Sequence, residues 1–195
     1  MTPNKPRGPY AKGAERREQI IQTATDVFAT EGFEGTALKR VAELVGVKEA
    51  TLFHYFSGKQ ELLTAVLAER DRRGLADNPA EAAGLGLMAP IAARNRTQPG
   101  LTTLYAVASA TASNPAHDSH GYFEHRFASL VRALEEDIAR RQAAGEVRAD
   151  VSATDLARLV VAVSDGLQLQ WLYDKDVDMA AGLSTFIEVL LKPPA

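Results

Sequence analysis

The stretch 36–59 constrains the fold more than any other part of the chain, because two short helical patterns meet there at one glycine. In the first pattern, apolar or small side chains recur at the spacing of a one-sided helix: Leu38, Val41, Ala42 and Val45. Gly46 follows at once, where a helix end favours a residue that adopts positive φ without a Cβ penalty. Val47 fills the turn, and a second helix begins near Lys48 or Glu49, with Leu52 and Phe56 on its buried side. This order of small residue, glycine and apolar plug is typical of a helix-turn-helix.

The predicted second helix has a defined outer face. At about 100° per residue, the side opposite Leu52 and Phe56 carries Ala50, Thr51 and His54, with Glu49 and Phe53 on its flanks. In a helix-turn-helix this face lies in the DNA major groove. Thr51 can contact a thymine methyl, His54 can donate to a purine acceptor, and Glu49 can accept from a cytosine amino group. The candidate base-contacting residues are therefore Glu49, Ala50, Thr51 and His54. Two packed helices with an ordinary solvated face are the alternative.

Residues 17–63 resemble the DNA-binding domain of the TetR (tetracycline-repressor-like) family of transcriptional regulators. The matching positions lie in one register: Arg17, Glu18, Ile20, Ile21, Ala24, Phe28, Gly32, Phe33, Thr36, Leu38, Val41, Ala42, Val45, Gly46, Val47, Leu52, Tyr55, Phe56, Lys59, Glu61 and Leu62. The rest of the chain is similar only as an all-helical regulatory domain. The resemblance implies a homodimer that binds a palindromic operator in double-stranded DNA and releases it when a small-molecule effector binds elsewhere.

Five side chains are candidates for contacts with DNA phosphates: Thr36, Lys39, Lys48, Tyr55 and Lys59. Thr36 is a good helix N-cap, and the resemblance implies that this position also contacts a phosphate. Lys59 lies in the first turn of the predicted fourth helix, where a cation opposes the helix dipole but helps to bind a phosphate. Two positions depart from the family. Lys48 replaces a Ser or Thr N-cap, at a cost of about 1 kcal/mol, and Phe53 replaces a Tyr whose hydroxyl contacts a phosphate.

Composition agrees with an intracellular DNA-binding protein. The 195 residues contain no cysteine, which excludes disulfides and thiolate metal sites. The formal net charge is −3, but residues 1–60 contain nine basic and seven acidic residues and carry +2, so the remainder carries −5. A locally basic surface is enough for phosphate binding. We find neither a signal peptide nor an apolar run long enough to span a membrane, and we expect a cytoplasmic protein without a membrane partner.

The pattern along the chain predicts an all-α protein of about nine helices in three parts. A flexible basic arm (1–13) precedes a helix-turn-helix domain (14–60) and a regulatory domain for ligand binding and dimerisation (61–195). Two interpretations of the arm stay open: it lies in the adjacent minor groove, or it is a solvated tail. Ser57 is the expected N-cap of the fourth helix, which links the two domains.

The last two predicted helices, about 153–191, are apolar on more than one side. A symmetric pair of such hairpins would form a four-helix bundle, so we predict a homodimer through them. The alternative is that both helices are buried within one domain. Dimerisation is favoured because two half-sites require two recognition helices.

An effector pocket is predicted from aromatic and polar side chains on the helices of the second domain: Met88, Tyr105, Tyr122, Phe123, Phe127, Gln168 and Trp171. Their alternative role is plain core packing. His117, Asp118, His120 and His125 have poor spacing for zinc, so no metal site is expected.

We expect neither a cofactor nor catalytic residues, because phosphate-binding loops and nucleophile motifs are absent from the sequence. The function predicted is a transcriptional repressor. There are four alternatives: an activator, a regulator whose ligand strengthens DNA binding, a helical small-molecule-binding protein, and an enzyme with a vestigial DNA-binding domain.

Overall fold

A computed structural model of the chain describes residues 9–32, 38–77, 84–190 and 192. Its helices are, in chain order, α1 (Pro9–Glu31), α2 (Leu38–Val45), α3 (Glu49–Leu52), α4 (Lys59–Ala76), α5 (Leu85–Arg96), α6 (Pro99–Thr111), α7 (His120–Ala143), α8 (Ala153–Tyr173) and α9 (Met179–Thr185), and a π-helical turn follows (Phe186–Leu190). The described ranges contain no strand, and the predicted all-α class is confirmed.

Several helices begin at positions other than those predicted from the sequence. The first helix starts at Pro9 rather than Ala14, so residues 9–13 of the predicted basic arm are helical. Proline is compatible with a first helical turn, because the N–H that it lacks would have no intrahelical acceptor there. The other residues of the predicted arm, 1–8, lie outside the described residues. Thr36 lies outside them as well.

The start of α4 also differs from the prediction. Gly58, not Ser57, is the N-cap residue, and no side chain caps it. Instead, the carboxylate of Glu61 accepts a hydrogen bond from the backbone N–H of Ser57 (2.7 Å). Helix α6 starts at Pro99, two residues before the predicted Leu101, and α9 starts at Met179, where Asp178 accepts from the N–H groups of the first turn.

The buried apolar side chains form two clusters. The first includes residues of α1, α2, α3 and α4 and continues into α6 and the start of α7: Leu101, Leu104, Tyr105, Ala108, Ala112 and Phe123. The second joins α5, α7, α8 and α9 around Leu134, Ile138, Val160 and Trp171. The helix-turn-helix therefore shares one core with part of the regulatory helices, and α4 and α6 run between the two regions.

Gly100 brings α6 close to the end of α1. A Cβ atom at this position would overlap the carbonyl oxygen of Phe28 and lie 3.1 Å from that of Ala29. Only glycine allows this approach, because any other residue would press a methyl group or more into backbone atoms that cannot move independently. The first turn of α6 is therefore fixed against the helix-turn-helix region.

None of the helices in the described ranges is both long and apolar enough to cross a lipid bilayer.

Candidate nucleic-acid interface and ligand cavity

The turn between α2 and α3 has the geometry that the sequence predicts for a helix-ending glycine. Gly46 has φ +75°. Its N–H donates to the carbonyl of Glu43 (3.1 Å), and the N–H of Val47 donates to the carbonyl of Ala42 (2.9 Å). This pair of bonds is a Schellman motif, which satisfies carbonyls left without partners at a helix end. Ala42 is buried, and its small side chain lets the helices approach.

Two buried apolar side chains, one in α3 and one just after it, pack the α3 region onto the core. Leu52 and Phe56 are 1% and 2% exposed and belong to the first core cluster. Regular helix covers only four residues, but hydrogen bonds continue past it: His54 N–H donates to Thr51 (3.2 Å) and Phe56 N–H to Leu52 (3.0 Å). Lys48 is the N-cap residue and makes no side-chain cap, as its residue type predicts. The helix is therefore short and depends on its anchors for orientation.

The four candidate base-contacting residues lie on the surface of this element. Glu49, Ala50 and His54 are exposed and Thr51 is half-buried. Phe53 is 52% exposed, an unusual fraction for a large apolar side chain, and it lies beside them. The sequence analysis placed Phe53 on the flank and assigned it no contact, because it lacks a hydroxyl. Its exposure adds an apolar group to the same outer face.

The three candidate phosphate-contacting lysines lie on the surface. Lys39, Lys48 and Lys59 are all exposed, and Lys39 forms a long i,i+4 ion pair with Glu43 (3.9 Å). Tyr55 is half-buried and packs against the first core. Its N–H donates to the carbonyl of Leu52 (3.0 Å), which fixes its backbone next to α3.

The start of α4 is tied to α1 and to the end of the α3 region. The guanidinium of Arg17 lies over the ring of Phe56 (4.8 Å) and 3.7 Å from the carboxylate of Glu61. The hydrogen bond from the N–H of Ser57 lowers the pKa of the Glu61 carboxyl below its usual value, and the positive charge of Arg17 contributes. These contacts connect the position of α3 to the position of α4.

A cavity of about 290 Å³ lies among α4, α5, α6, α7 and α8. Three of the seven side chains predicted for an effector pocket line it: Met88, Tyr105 and Gln168. The other four do not line it, although the hydroxyl of Tyr122 donates to the lining residue Asp71 (3.3 Å). Phe123 is buried in the first core, and Phe127 and Tyr122 pack beside it. Trp171 is buried in the second core, where Lys175 covers its ring (3.6 Å).

The cavity also has charged lining residues that the sequence analysis missed. Arg70 and Asp71 reach it from α4, Arg126 from α7 and Asp165 from α8. A sequence signal existed: Asp165 lies within the apolar pattern of α8, and Arg70 lies just after the apolar pattern of α4. A charged residue near an apolar stripe is also common at the edge of a solvated helix face, so the sequence alone does not distinguish a buried charge from a surface one.

These charged groups form one hydrogen-bonded network. The guanidinium of Arg126 donates to Asp71 (2.6 Å) and to the hydroxyl of Tyr105 (3.1 Å), which in turn donates to Asp165 (3.2 Å). Arg70 donates to Asp71 (3.2 Å) and to Gln168 (3.3 Å). Burial raises the pKa of Asp165 and the pKa of Tyr105, and it lowers the pKa of Arg70.

The histidines between α6 and α7 take part in local hydrogen bonds. His117 Nδ1 accepts from the N–H of Ser119 (3.2 Å), and His120 Nδ1 lies 2.8 Å from the carbonyl of Ala112. Among the described residues, no three His, Asp or Glu side chains are grouped so that they could hold a metal ion.

A glycine-ended turn, an exposed short helix on two buried anchors and an adjoining helical bundle define a helix-turn-helix regulatory protein. Residues 20–66 match the family described as bacterial regulatory proteins, tetR family. The HTH-type transcriptional repressor AcnR of Corynebacterium diphtheriae is 30% identical over 151 residues, which cover 77% of this chain and 78% of that one. The HTH-type transcriptional repressor Rv1474c of Mycobacterium tuberculosis is 28% identical over 175 residues, 90% of this chain and 92% of that one.

Solved structures have the same fold. Salmonella enterica GusR has a TM-score of 0.66 at 24% identity and covers 96% of this chain and 99% of its own. A TetR-family regulator from Rhodococcus sp. has a TM-score of 0.70 at 20% identity, over 92% of this chain and all of that one. The chain belongs to the TetR family of bacterial regulatory proteins, which confirms the resemblance found in the sequence. It is a DNA-binding transcription regulator and not an enzyme.

Proposed function

We propose that the chain represses transcription by binding a palindromic operator as a homodimer, and that a small molecule in the α4–α8 cavity releases it. The observation that carries the proposal is the outer face of α3, exposed and held in place by the Gly46 turn. The names of AcnR and Rv1474c, both transcriptional repressors, support this direction of control. A role on DNA implies a cytoplasmic protein.

Sequence reading is assigned to Glu49, Ala50, Thr51 and His54. All four reach the surface, with Thr51 half-buried and the others exposed, so they can approach base edges in the major groove. Backbone anchoring is assigned to Lys39, Lys48, Tyr55 and Lys59, with Thr36 proposed from the resemblance alone. This division has a direct consequence. Loss of a base contact changes which sequence is preferred, whereas loss of a phosphate contact weakens binding to every sequence.

The domain division follows from the same proposal. Residues 14–60 would serve DNA binding and residues 61–195 ligand binding and dimerisation, with α4 transmitting movement between them. The shared first core supports this transmission, because it joins α6 and the start of α7 to the helix-turn-helix. A rotation of α4 would change the separation of the two recognition helices, which must match half-sites about 34–36 Å apart.

An apolar stripe on α8 supports dimerisation. Leu159, Leu169 and Tyr173 are 49%, 51% and 87% exposed, and with the small residues Ala162 and Gly166 they follow a three-to-four spacing. On the π-helical turn after α9, Val189 is also largely exposed. A helix with such a stripe needs a second apolar partner, and the same stripe of another copy supplies one around a two-fold axis.

The first experiment is selection of bound DNA from a random pool, followed by gel shifts on the selected site. We expect a palindromic site. Lys59→Ala should weaken binding to all sequences and reduce the slope of log affinity against log salt by about 1, whereas His54→Ala should change sequence preference. Arg132→Ala, an exposed cation on α7, is the matched control and should do neither. An identical uniform loss in the Lys59 and His54 variants would contradict these assignments.

The second experiment tests the dimer. Leu169→Glu introduces a charge in the middle of the α8 stripe and should give monomers in sedimentation experiments. Val107→Glu is the control, because Val107 is a similarly exposed apolar residue (52%) on α6. Dimers that persist in the Leu169 variant would exclude this interface.

A further inference from the structure

We propose that the ligand of the α4–α8 cavity is a small organic acid, with a carboxylate bound by Arg70 and Arg126 and an apolar body. This inference rests on the proposed ligand-released function and specifies the chemical class of the effector. It depends on three features of the cavity: an unsatisfied buried donor, two arginines that share one carboxylate and an otherwise apolar wall.

The unsatisfied donor is the Nε–H of Arg70. The side chain is only 5% exposed, and its two terminal nitrogens donate to Asp71 and Gln168. Its Nε is the one buried side-chain nitrogen or oxygen that has no hydrogen-bond partner within the described part of the chain. A buried donor without a partner is costly, and the cost is larger for a charged group. A ligand oxygen in the cavity would satisfy it.

The charge balance also favours an anion. Asp71 accepts from both Arg70, which is buried, and Arg126, which is half-buried, so the two guanidinium groups share one carboxylate. The remaining lining carboxyl, Asp165, is half-buried and accepts from the Tyr105 hydroxyl (3.2 Å) rather than from either of these arginines. A third lining cation, Arg94, already pairs with Asp77 (2.7 Å). A bound carboxylate would bring the Arg70–Asp71–Arg126 group to neutrality, and charge-assisted hydrogen bonds to arginine are among the strongest in proteins.

The rest of the wall limits the body of the ligand. It is largely apolar, with contributions from Leu75, Met88, Ile91, Leu130, Ala133 and Val161. The volume of about 290 Å³ corresponds to roughly ten water molecules. This volume accommodates a small aliphatic or aromatic acid, and the apolar wall disfavours a body that carries further charges.

The position of the arginines connects the ligand to DNA release. Arg70 and Asp71 are on α4, whose first residues adjoin the recognition element, while Arg126 is on α7. A carboxylate that accepts from both arginines competes with Asp71 for them. The ion pair that now joins α4 to α7 would therefore weaken, and α4 could change its tilt.

The test uses paired probes: linear acids from butanoate to octanoate and phenylacetate, each with its primary amide, at millimolar concentration. The measurements are the thermal midpoint of the full-length protein and its affinity for the selected operator. We expect at least one acid to raise the midpoint and weaken DNA binding, while its amide does neither.

Variants assign the effect to Arg70. Arg70→Met should weaken binding of the active acid at least tenfold. Its removal leaves Asp71 paired with Arg126, and Gln168 with Asn95 (3.2 Å), so the network keeps its other bonds. Arg70→Lys, which keeps the charge, is the second variant if the first does not fold, and it should retain part of the response. Arg96→Met is the control, because Arg96 lies on α5 outside the cavity lining and pairs with Asp178 (3.2 Å).

The proposal is overturned if no acid acts, if amides act as strongly as acids, or if the Arg70 variants respond like the unchanged protein. The ligand-free protein must bind the selected operator in the same assay. If it does so while the acids have no effect, only the ligand class is refuted. If it fails to bind DNA, the repressor function itself is refuted.

Discussion

Replacement of Gly46 by alanine isolates the contribution of one turn to DNA recognition. With φ +75°, this residue occupies the left-handed region, which costs an L-residue about 1–2 kcal/mol. A Cβ atom there would meet nothing within 4 Å, so the substitution introduces no clash. The whole cost of Gly46→Ala is therefore backbone strain, and we expect the free energy of unfolding to fall by up to about 1–2 kcal/mol, less whatever strain the folded variant relieves.

The same strain should affect DNA binding. The variant can relieve it by rotating the turn, which moves α3 away from its position on Leu52 and Phe56. Strain that the free variant relieves in this way no longer lowers its stability, but it must be restored on DNA, at up to about 1–2 kcal/mol for each recognition helix. For a dimer with two such helices the limit is about 2–4 kcal/mol, roughly a 30- to 800-fold loss of affinity. Urea denaturation measures the first effect, and fluorescence anisotropy with the selected operator measures the second.

Gly145 provides a matched control in the same chain. It has φ +73°, and a Cβ atom added to it would also meet nothing within 4 Å. It has the same pair of hydrogen bonds: Gly145 N–H to Gln142 (3.0 Å) and Glu146 N–H to Arg141 (2.8 Å). Gly145→Ala should therefore destabilise the fold by a similar amount and leave DNA affinity unchanged. Equal losses of affinity in the two variants, or no loss of stability in either, would refute the reasoning.

Three further predictions follow from buried or hydrogen-bonded groups. Gly100→Ala should cost about 1–3 kcal/mol of unfolding free energy, because its methyl group overlaps the carbonyl of Phe28; urea denaturation measures this, and a neutral result would exclude the close approach. Leu52→Ala removes a buried anchor and should cost about 2–5 kcal/mol in the same assay, with loss of operator binding. The N–H of Ser57 lowers the pKa of Glu61 in the folded state. The Glu61 carboxylate therefore stabilises the fold above its unfolded-state pKa of about 4.5, and this stabilisation is lost as the pH falls through its folded-state pKa. Glu61→Gln should therefore lose less stability than the unchanged protein when pH is lowered through this range, as followed by urea midpoints.

The helix-turn-helix could be predicted from the sequence because its determinants are local. Helical spacing, a small residue at Ala42, a glycine at position 46 and the anchors Leu52 and Phe56 lie within fifteen residues of one another. Each of these features indicates either a backbone conformation or a buried helix face, and both depend only on residues close together in the chain. The turn conformation and the burial of both anchors agree with this prediction. Helix starts were less accurate: α1 and α6 begin at prolines, Pro9 and Pro99, and the N-cap residues of α4 and α6 make no side-chain cap of the kind that the sequence signals rely on.

The cavity, in contrast, depends on contacts between residues far apart in the chain. Arg70 meets Gln168 across 98 positions, and Arg126 meets Asp71 across 55. Three of the seven side chains predicted for a pocket line the cavity, while Phe123 and Trp171 are core residues. The sequence alone therefore determined the family, the all-α class and the residues presented by α3. Only the tertiary structure decided which charges are buried together, because an arginine on a helix has the same local pattern whether it faces water or a cavity.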